Sequence, residues 1–313
     1  MNRLLSRISN TARQSVGVVL AALGCGNPAH RPAQSIVVFN AGALALPLRQ
    51  ALDSFAPKNG LVASQENAGS VETVRKITEL GRIPDVIALA DTALFSRFLT
   101  GRLASRVAVL GGTRLVLAYT SRSRFAAEVN AQNWTEVTTR PGVQVGRSDP
   151  ALDPAGYRAL MAMQLAERHY GRPGLARRLE EAAPAANMRP KSADLVALLQ
   201  TGNLDYAWEY ASVAHRLGLR FVALPAQVDL GDPALSTTYA AARVEIPVRG
   251  RVNSGVEKGQ QRSPLVMYGA PIVFGAAVPQ GAPDRANGER FITYLMSPGG
   301  RAIMIEYGLR PPP

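Results

Sequence analysis

SIVVFNAGALALPLRQALDSFAPKNG, Ser35–Gly60, decides how this chain folds. A short apolar run, Ile36–Phe39, reads as a strand and ends in Asn40-Ala41-Gly42-Ala43. A helical pattern starts at once, with Leu44, Leu48, Leu52 and Phe55 spaced by three or four. The turn between them carries no charge, no metal ligand and no nucleophile. Its offering is backbone N–H groups, and a helix N-terminus that presents such groups is a natural seat for an anion.

Outward from this stretch, short apolar runs alternate with helical ones, which signals an α/β fold with mostly parallel strands. Strands are expected at Ile36–Phe39, Val62–Glu66, Val86–Ala88, Leu115–Tyr119, Val143–Val145, Tyr206–Trp208, Phe221–Leu224, Ala242–Val248 and Pro271–Ala277. Helices are expected at Leu44–Phe55, Val71–Glu79, Thr92–Ser96, Ala155–Tyr170, Leu175–Glu181, Ala193–Thr201, Ala286–Ser297 and near Gly300–Tyr307. The polar, Gly-bearing segment Gly250–Ser263 reads as a surface hairpin or loop. With 313 residues the chain has room for two lobes. Crossings between them are expected near Leu115–Tyr119 and Ala242–Val248, so that one lobe joins the start and end of the chain and the other its middle. The expected division is 1–34 as signal peptide and tether, 35–118 plus 245–313 as lobe 1, and 119–244 as lobe 2. Ligands then bind in the cleft, outside the carboxyl ends of the strands.

Hydrophobic residues make up 47% and charged residues 19%, the balance of a globular chain. The net charge of +12 comes almost entirely from scattered arginines, and aromatics are 6%. A nucleic-acid surface would cluster its cations among stacking aromatics, so the charge reads as a general attraction for anions. At the N-terminus, Arg3, Arg7 and Arg13 precede the apolar run Val16–Gly24, the pattern of an export signal too short to remain as a membrane span. The sole cysteine, Cys25, follows immediately and excludes an internal disulfide. Its place resembles that of a bacterial lipoprotein's acylated cysteine. Leu23 and Ala22 depart from that pattern, and a plain secretory signal is the alternative. The protein is expected in the periplasm or otherwise outside the cytoplasm, with or without a lipid anchor.

Two further turns repeat the opening geometry. In Asn67-Ala68-Gly69-Ser70-Val71-Glu72, Ser70 either caps a helix or donates its hydroxyl to a ligand. A capping box needs Glu or Gln three residues on, where Thr73 stands. In Asp149–Arg158, Asp153 before Pro154 reads as an N-cap with proline at the first helical position. Catalysis has little to stand on. His30, His169 and His215 lack a base-orienting partner, and no zinc, nucleophile-elbow or Walker pattern occurs. Glu180-Glu181 reads as a solvated helix face. In Asp205–Tyr210, a half-apolar strand ending in Glu209-Tyr210 points one or other side chain towards the cleft.

The runs VFNAGAL, NAGSVETVRKITELGRIPDVIALAD (Asn67–Asp91) and DPAGYRALMAMQLAERHYG (Asp153–Gly171) strongly resemble the tungstate/molybdate-binding proteins of ABC importers. MRPKSADLVALLQTGNLDYAWEYASVA (Met188–Ala214) and LPAQVDLGD (Leu224–Asp232) continue the match in order, so it spans Ile36 to Leu309. The resemblance implies a periplasmic-binding-protein fold, two α/β lobes joined by a hinge. It implies a monomer that captures a tetrahedral oxyanion and delivers it to a membrane permease and its ATPase. No enzyme activity, cofactor or nucleic acid comes with it.

The same resemblance places the site at Gly42, Ala43, Ser70, Asp153, Pro154, Ala155, Ser192 and Tyr210. Gly42, Ala43 and Ala155 would give N–H donors, Ser70 a hydroxyl and an N–H, and Tyr210 its phenol. Pro154 would shape the turn, and Asp153 would set a carboxylate beside the metal centre of the oxyanion. Two positions depart from the family. Ala43 stands where serine is usual, and Ser192 replaces the glutamate of an RPKE pattern. A serine there favours four-oxygen tetrahedral binding, unless Glu209 compensates. The alternatives are a receptor for another anion such as sulfate or a carboxylate, a ligand-sensing regulatory partner, and, from a different class, an extracytoplasmic enzyme.

Overall fold

The computed structural model describes residues 34–246 and 264–312. The export signal, Cys25, His30, nearly all of the tether, the Gly250–Ser263 loop and the end of the strand expected at Ala242–Val248 lie outside these residues. In chain order the first part comprises β1 (Gln34–Ala41), α1 (Ala45–Phe55), β2 (Leu61–Ala68), α2 (Ser70–Thr78), β3 (Val86–Leu89), α3 (Ala93–Phe98) and β4 (Ala108–Gly112). Next come β5 (Leu115–Tyr119), α4 (Trp134–Thr138), β6 (Val145–Ser148), α5 (Pro154–Tyr170), α6 (Leu175–Ala182) and β7 (Met188–Arg189). Then follow α7 (Ala193–Thr201), β8 (Tyr206–Tyr210), α8 (Ala211–Arg216), β9 (Arg220–Ala223), α9 (Ser236–Tyr239) and β10 (Arg243–Ile246). The chain ends with β11 (Leu265–Tyr268), β12 (Val273–Ala277), α10 (Arg285–Met296) and α11 (Pro298–Glu306).

These strands make two five-stranded sheets, ordered β2-β1-β3-β12-β4 and β7-β6-β8-β5-β9, and β10 pairs with β11 alone. The first sheet therefore takes strands from both ends of the described chain, and the second from its middle. As expected, most strands run one way: in each five-stranded sheet four strands share a direction and one is reversed. β1 is parallel to β2 and β3, and β6 to β7 and β8, but β12 runs antiparallel to β3 and β4. β5 likewise runs antiparallel to β8 and β9. Parallel neighbours need a crossover connection on one sheet. β5 and β12 instead follow segments that leave one sheet for the other, which frees them from that constraint.

The opening stretch folds as its pattern requires. Ile36 and Val38 are wholly buried in β1, and Leu44, Leu48, Ala51, Leu52 and Phe55 line one face of the following helix. Each such leucine contributes about 2 kcal/mol of burial, enough to hold a helix of three turns that has no side-chain cap. α5 begins with Pro154 at its first position and ends at Gly171 in the left-handed region, φ 58°. β8 is buried along its whole length, because strands flank it on both sides and helices cover both faces. Its alternation is therefore invisible in the sequence, and both Glu209 and Tyr210 are enclosed.

Candidate functional site

The strands that run parallel set the site. β1, β2 and β3 point their carboxyl ends to one edge of the first sheet, and β6, β7 and β8 do the same in the second. Each is followed at once by a turn bearing a residue of interest. These are Gly42-Ala43 after β1, Ser70 after β2, Ala90-Asp91 after β3, Asp153 after β6, Ser192 after β7, and Glu209-Tyr210 closing β8. The two edges meet. Val71 N–H and Glu72 N–H, opening α2, donate to the Leu152 carbonyl at 3.0 and 3.1 Å. Those two amides are thus engaged across the cleft, which the sequence did not reveal.

Three of the expected residues form one buried group. Asp153 stands at the N-cap position of α5, yet its side chain makes no cap there. Its Oδ2 instead accepts the Ser192 N–H at 2.7 Å. The Ser192 hydroxyl donates to Glu209 Oε1 at 2.9 Å, and the Tyr210 N–H donates to the same oxygen at 2.7 Å. Glu209 Oε2 is buried without a partner. Burial pushes the Asp153 carboxyl up to about 6, against the opposing pull of the Ser192 N–H and of Arg158. Burial pushes Glu209 further, to about 8, and the nearby Asp153 charge adds to it. At neutral pH the Glu209 carboxyl is therefore largely protonated, and the proton on Oε2 has no protein acceptor.

Ser70 joins this group from the other side. It is the first residue of α2, and its Oγ accepts the Ala90 N–H at 2.9 Å. Pro154 and Ala155 open α5 beside Asp153, both buried. Gly42 lies beside Lys191 and Ala193, the two neighbours of Ser192. Gly42 and Ala43 face a cavity of about 120 Å³ shared with Ala193, Ser212 and Arg216, in which Ser212 Oγ is buried and unpartnered. Sequence reasoning missed Asp91, Tyr157 and Arg158. Asp91 Oδ2 takes both the Tyr157 hydroxyl and Arg158 Nη2, the latter at 3.2 Å. The position of Asp91 just after a strand was the single available signal. His169 and His215 are exposed, away from this group. Among the described residues, no three His, Cys, Asp or Glu side chains gather as a metal site.

Two α/β sheets facing one another across a cleft, with turns at their carboxyl ends, define the periplasmic-binding-protein fold. The chain belongs to the bacterial extracellular solute-binding proteins, whose family description matches residues 36–310. It is 37% identical over 274 residues to an uncharacterized solute-binding protein of Petrotoga mobilis, covering 87% of this chain and 82% of the relative. It is 30% identical over 323 residues to the molybdate/tungstate-binding protein WtpA of Pyrococcus abyssi, covering 93% and 90%. Among solved structures it resembles the sulfate-binding protein SubI of Mycobacterium tuberculosis, with TM-score 0.61 and 12% identity over 89% and 87% of the two chains. It also resembles the periplasmic molybdate-binding protein of Azotobacter vinelandii, with TM-score 0.58 and 16% identity over 89% and 100%. At those identities the structures speak for the fold alone. No helix among the described residues is long and apolar enough to cross a membrane.

Proposed function

We propose that the protein captures tungstate or molybdate outside the cytoplasm and passes it to a membrane permease with its ATPase. It does so as a monomer without a resident cofactor or turnover. The observation that carries this reading is the meeting of six strand ends, which brings hydroxyls and a protonated carboxyl together rather than free cations. Neutral donors suit a fully deprotonated oxyanion, whose buried charge demands many hydrogen bonds. The likeness to WtpA over nearly the whole chain supports the same ligand. The division into lobes of 35–118 plus 245–313 and of 119–244 is proposed with one change: its first boundary moves ahead of Leu115, because β5 pairs within the second sheet.

Calorimetry with molybdate, tungstate, sulfate and phosphate tests the ligand. Molybdate and tungstate are expected to bind roughly tenfold or more tighter than sulfate, a difference of about 1.4 kcal/mol. Equal or tighter sulfate binding would favour the second reading, a sulfate-type receptor. Ser192 is the observation on its side, since its hydroxyl is spent on Glu209 and offers no carboxylate to a metal. The export signal and an acylated Cys25 are proposed from the sequence. Cys25→Ser should move the protein out of the membrane fraction, and a wild type already wholly soluble would count against the anchor.

A further inference from the structure

Arg158 lies in the second turn of α5 with only 4% of its side chain exposed, and it faces Asp91 from the other sheet, 11% exposed. Burial alone would lower the guanidinium's pKa, but the Asp91 carboxylate together with the Tyr210 and Tyr157 hydroxyls more than offsets it and holds the arginine above its ordinary value. Both hydrogens of Nη1 and one of Nη2 have partners. Nη2 pairs with Asp91 Oδ2 at 3.2 Å, while Nη1 donates to the Ala90 carbonyl at 2.5 Å and to the Tyr210 hydroxyl at 2.9 Å. Asp91 is held in turn by the Tyr157 hydroxyl and by the Ala93 N–H, the latter at 2.9 Å. Nη1, its two hydrogens taken by the Ala90 and Tyr210 oxygens, has none left for a ligand.

Its effect on the hydroxyls is specific. An arginine only donates, so the Tyr210 oxygen must accept, and its own proton is not spent on that contact. Ser70 is in the same position, because its oxygen accepts the Ala90 N–H. One peptide residue, Ala90, thus links the two. Its N–H backs the Ser70 hydroxyl, and its carbonyl is gripped by the guanidinium that backs the Tyr210 hydroxyl.

We propose that Arg158 is a positioning residue of the anion site: by filling the acceptor side of the Tyr210 hydroxyl while gripping the Ala90 carbonyl, it aims two hydroxyl protons, one from each lobe, at the bound oxyanion. This rests on the oxyanion reading above. Asp91 anchors the guanidinium across the cleft, so the alignment exists only when the lobes are together. The pair is neutral overall, which leaves recognition to the hydroxyl protons rather than to a free positive charge.

A double-mutant cycle in molybdate calorimetry tests this. Arg158→Lys keeps the charge and the partner Asp91, but a single ammonium cannot hold Asp91, Ala90 and Tyr210 in one plane. Arg158→Lys and Tyr210→Phe are each expected to weaken molybdate binding about tenfold, and the double variant about as much as Tyr210→Phe alone. Losses that multiply to about a hundredfold, or wild-type affinity in Arg158→Lys, would overturn the proposal. Should Arg158→Lys fail to fold, Asp91→Asn enters the same cycle, since it frees the guanidinium from its anchor and is expected to show the same non-additivity. Wild-type protein that prefers sulfate overturns the molybdate reading but leaves the cycle to be run with sulfate, where the same non-additivity is expected and losses that multiply overturn the proposal. Wild-type protein that binds none of the four anions overturns both.

Discussion

Gly69→Ala is expected to weaken molybdate and tungstate binding roughly thirtyfold and to lower the Tm by several degrees. Gly69 adopts φ −65° and ψ 146°, a conformation open to any residue, so alanine meets no local backbone strain. The obstacle lies across the cleft. A Cβ at this position would stand 2.3 Å from the Leu152 carbonyl oxygen and 2.8 Å from its carbon. Backbone cannot yield as a side-chain tip would, so the two edges must part. Parting breaks the bonds from Val71 N–H and Glu72 N–H to Leu152 O. Two such bonds at about 1 kcal/mol each give the factor of about thirty. Calorimetry beside a thermal melt checks it, and unchanged affinity would mean that this close approach is not kept in the liganded protein.

Glu209→Gln is expected to raise stability at high pH and to flatten the pH dependence of binding. The native carboxyl titrates at about 8, against an ordinary value of 4.5. Because the folded-state value is raised, the native state holds the proton more tightly than the unfolded chain. The stabilisation is complete below about 4.5 and is lost as pH rises towards 8. Above 8 the wild type encloses a carboxylate whose Oε2 has no partner. Glutamine removes that charge and keeps an acceptor for Ser192 and Tyr210. The variant should match wild type near pH 5 and exceed it near pH 9 by about 3 kcal/mol, read as several degrees in Tm. Asp153, raised to about 6, is present in both proteins and acts over a lower range. Molybdate affinity of the wild type should fall above pH 8, as a second negative charge appears beside the dianion, while the variant's should not. Parallel melting curves would remove the proton from Glu209. A wild-type affinity that rises with pH would instead point to a carboxylate bound to the metal.

Much of this architecture was legible because the strand-turn-helix units carry strong local patterns. β5 and α7 fall at the expected residues, and α1, α2, α5 and α10 differ by a residue at one or both ends. What escaped was short or weakly patterned. β4 reads AVLGG, β7 is two residues long, and α4, α8 and α9 span at most six. β6 begins at Val145, where the strand expected at Val143–Val145 ends. In the site, the turn residues announced themselves through strand endings and helix starts. The Asp91–Arg158 pair did not, because ionic partners on different sheets leave no trace in spacing. Asp153 was legible as a residue that opens a helix, but not as one that turns its carboxylate away to Ser192.

The placement of β12 governs the order in which this chain can reach its native state. β3 and β4 do not touch in the first sheet; Val273–Ala277 lies between them and, among the described residues, is the one strand that pairs with β4. The second sheet, by contrast, is contiguous in sequence from Leu115 to Ala223. A chain emerging from its N-terminus can therefore finish its middle sheet while the first remains open at its centre. That opening closes only after almost the whole polypeptide has been made, and it closes through contacts of very long sequence separation, the slow kind. Under the export proposed above, late completion would keep half of the molecule unlocked while the chain is threaded across the membrane.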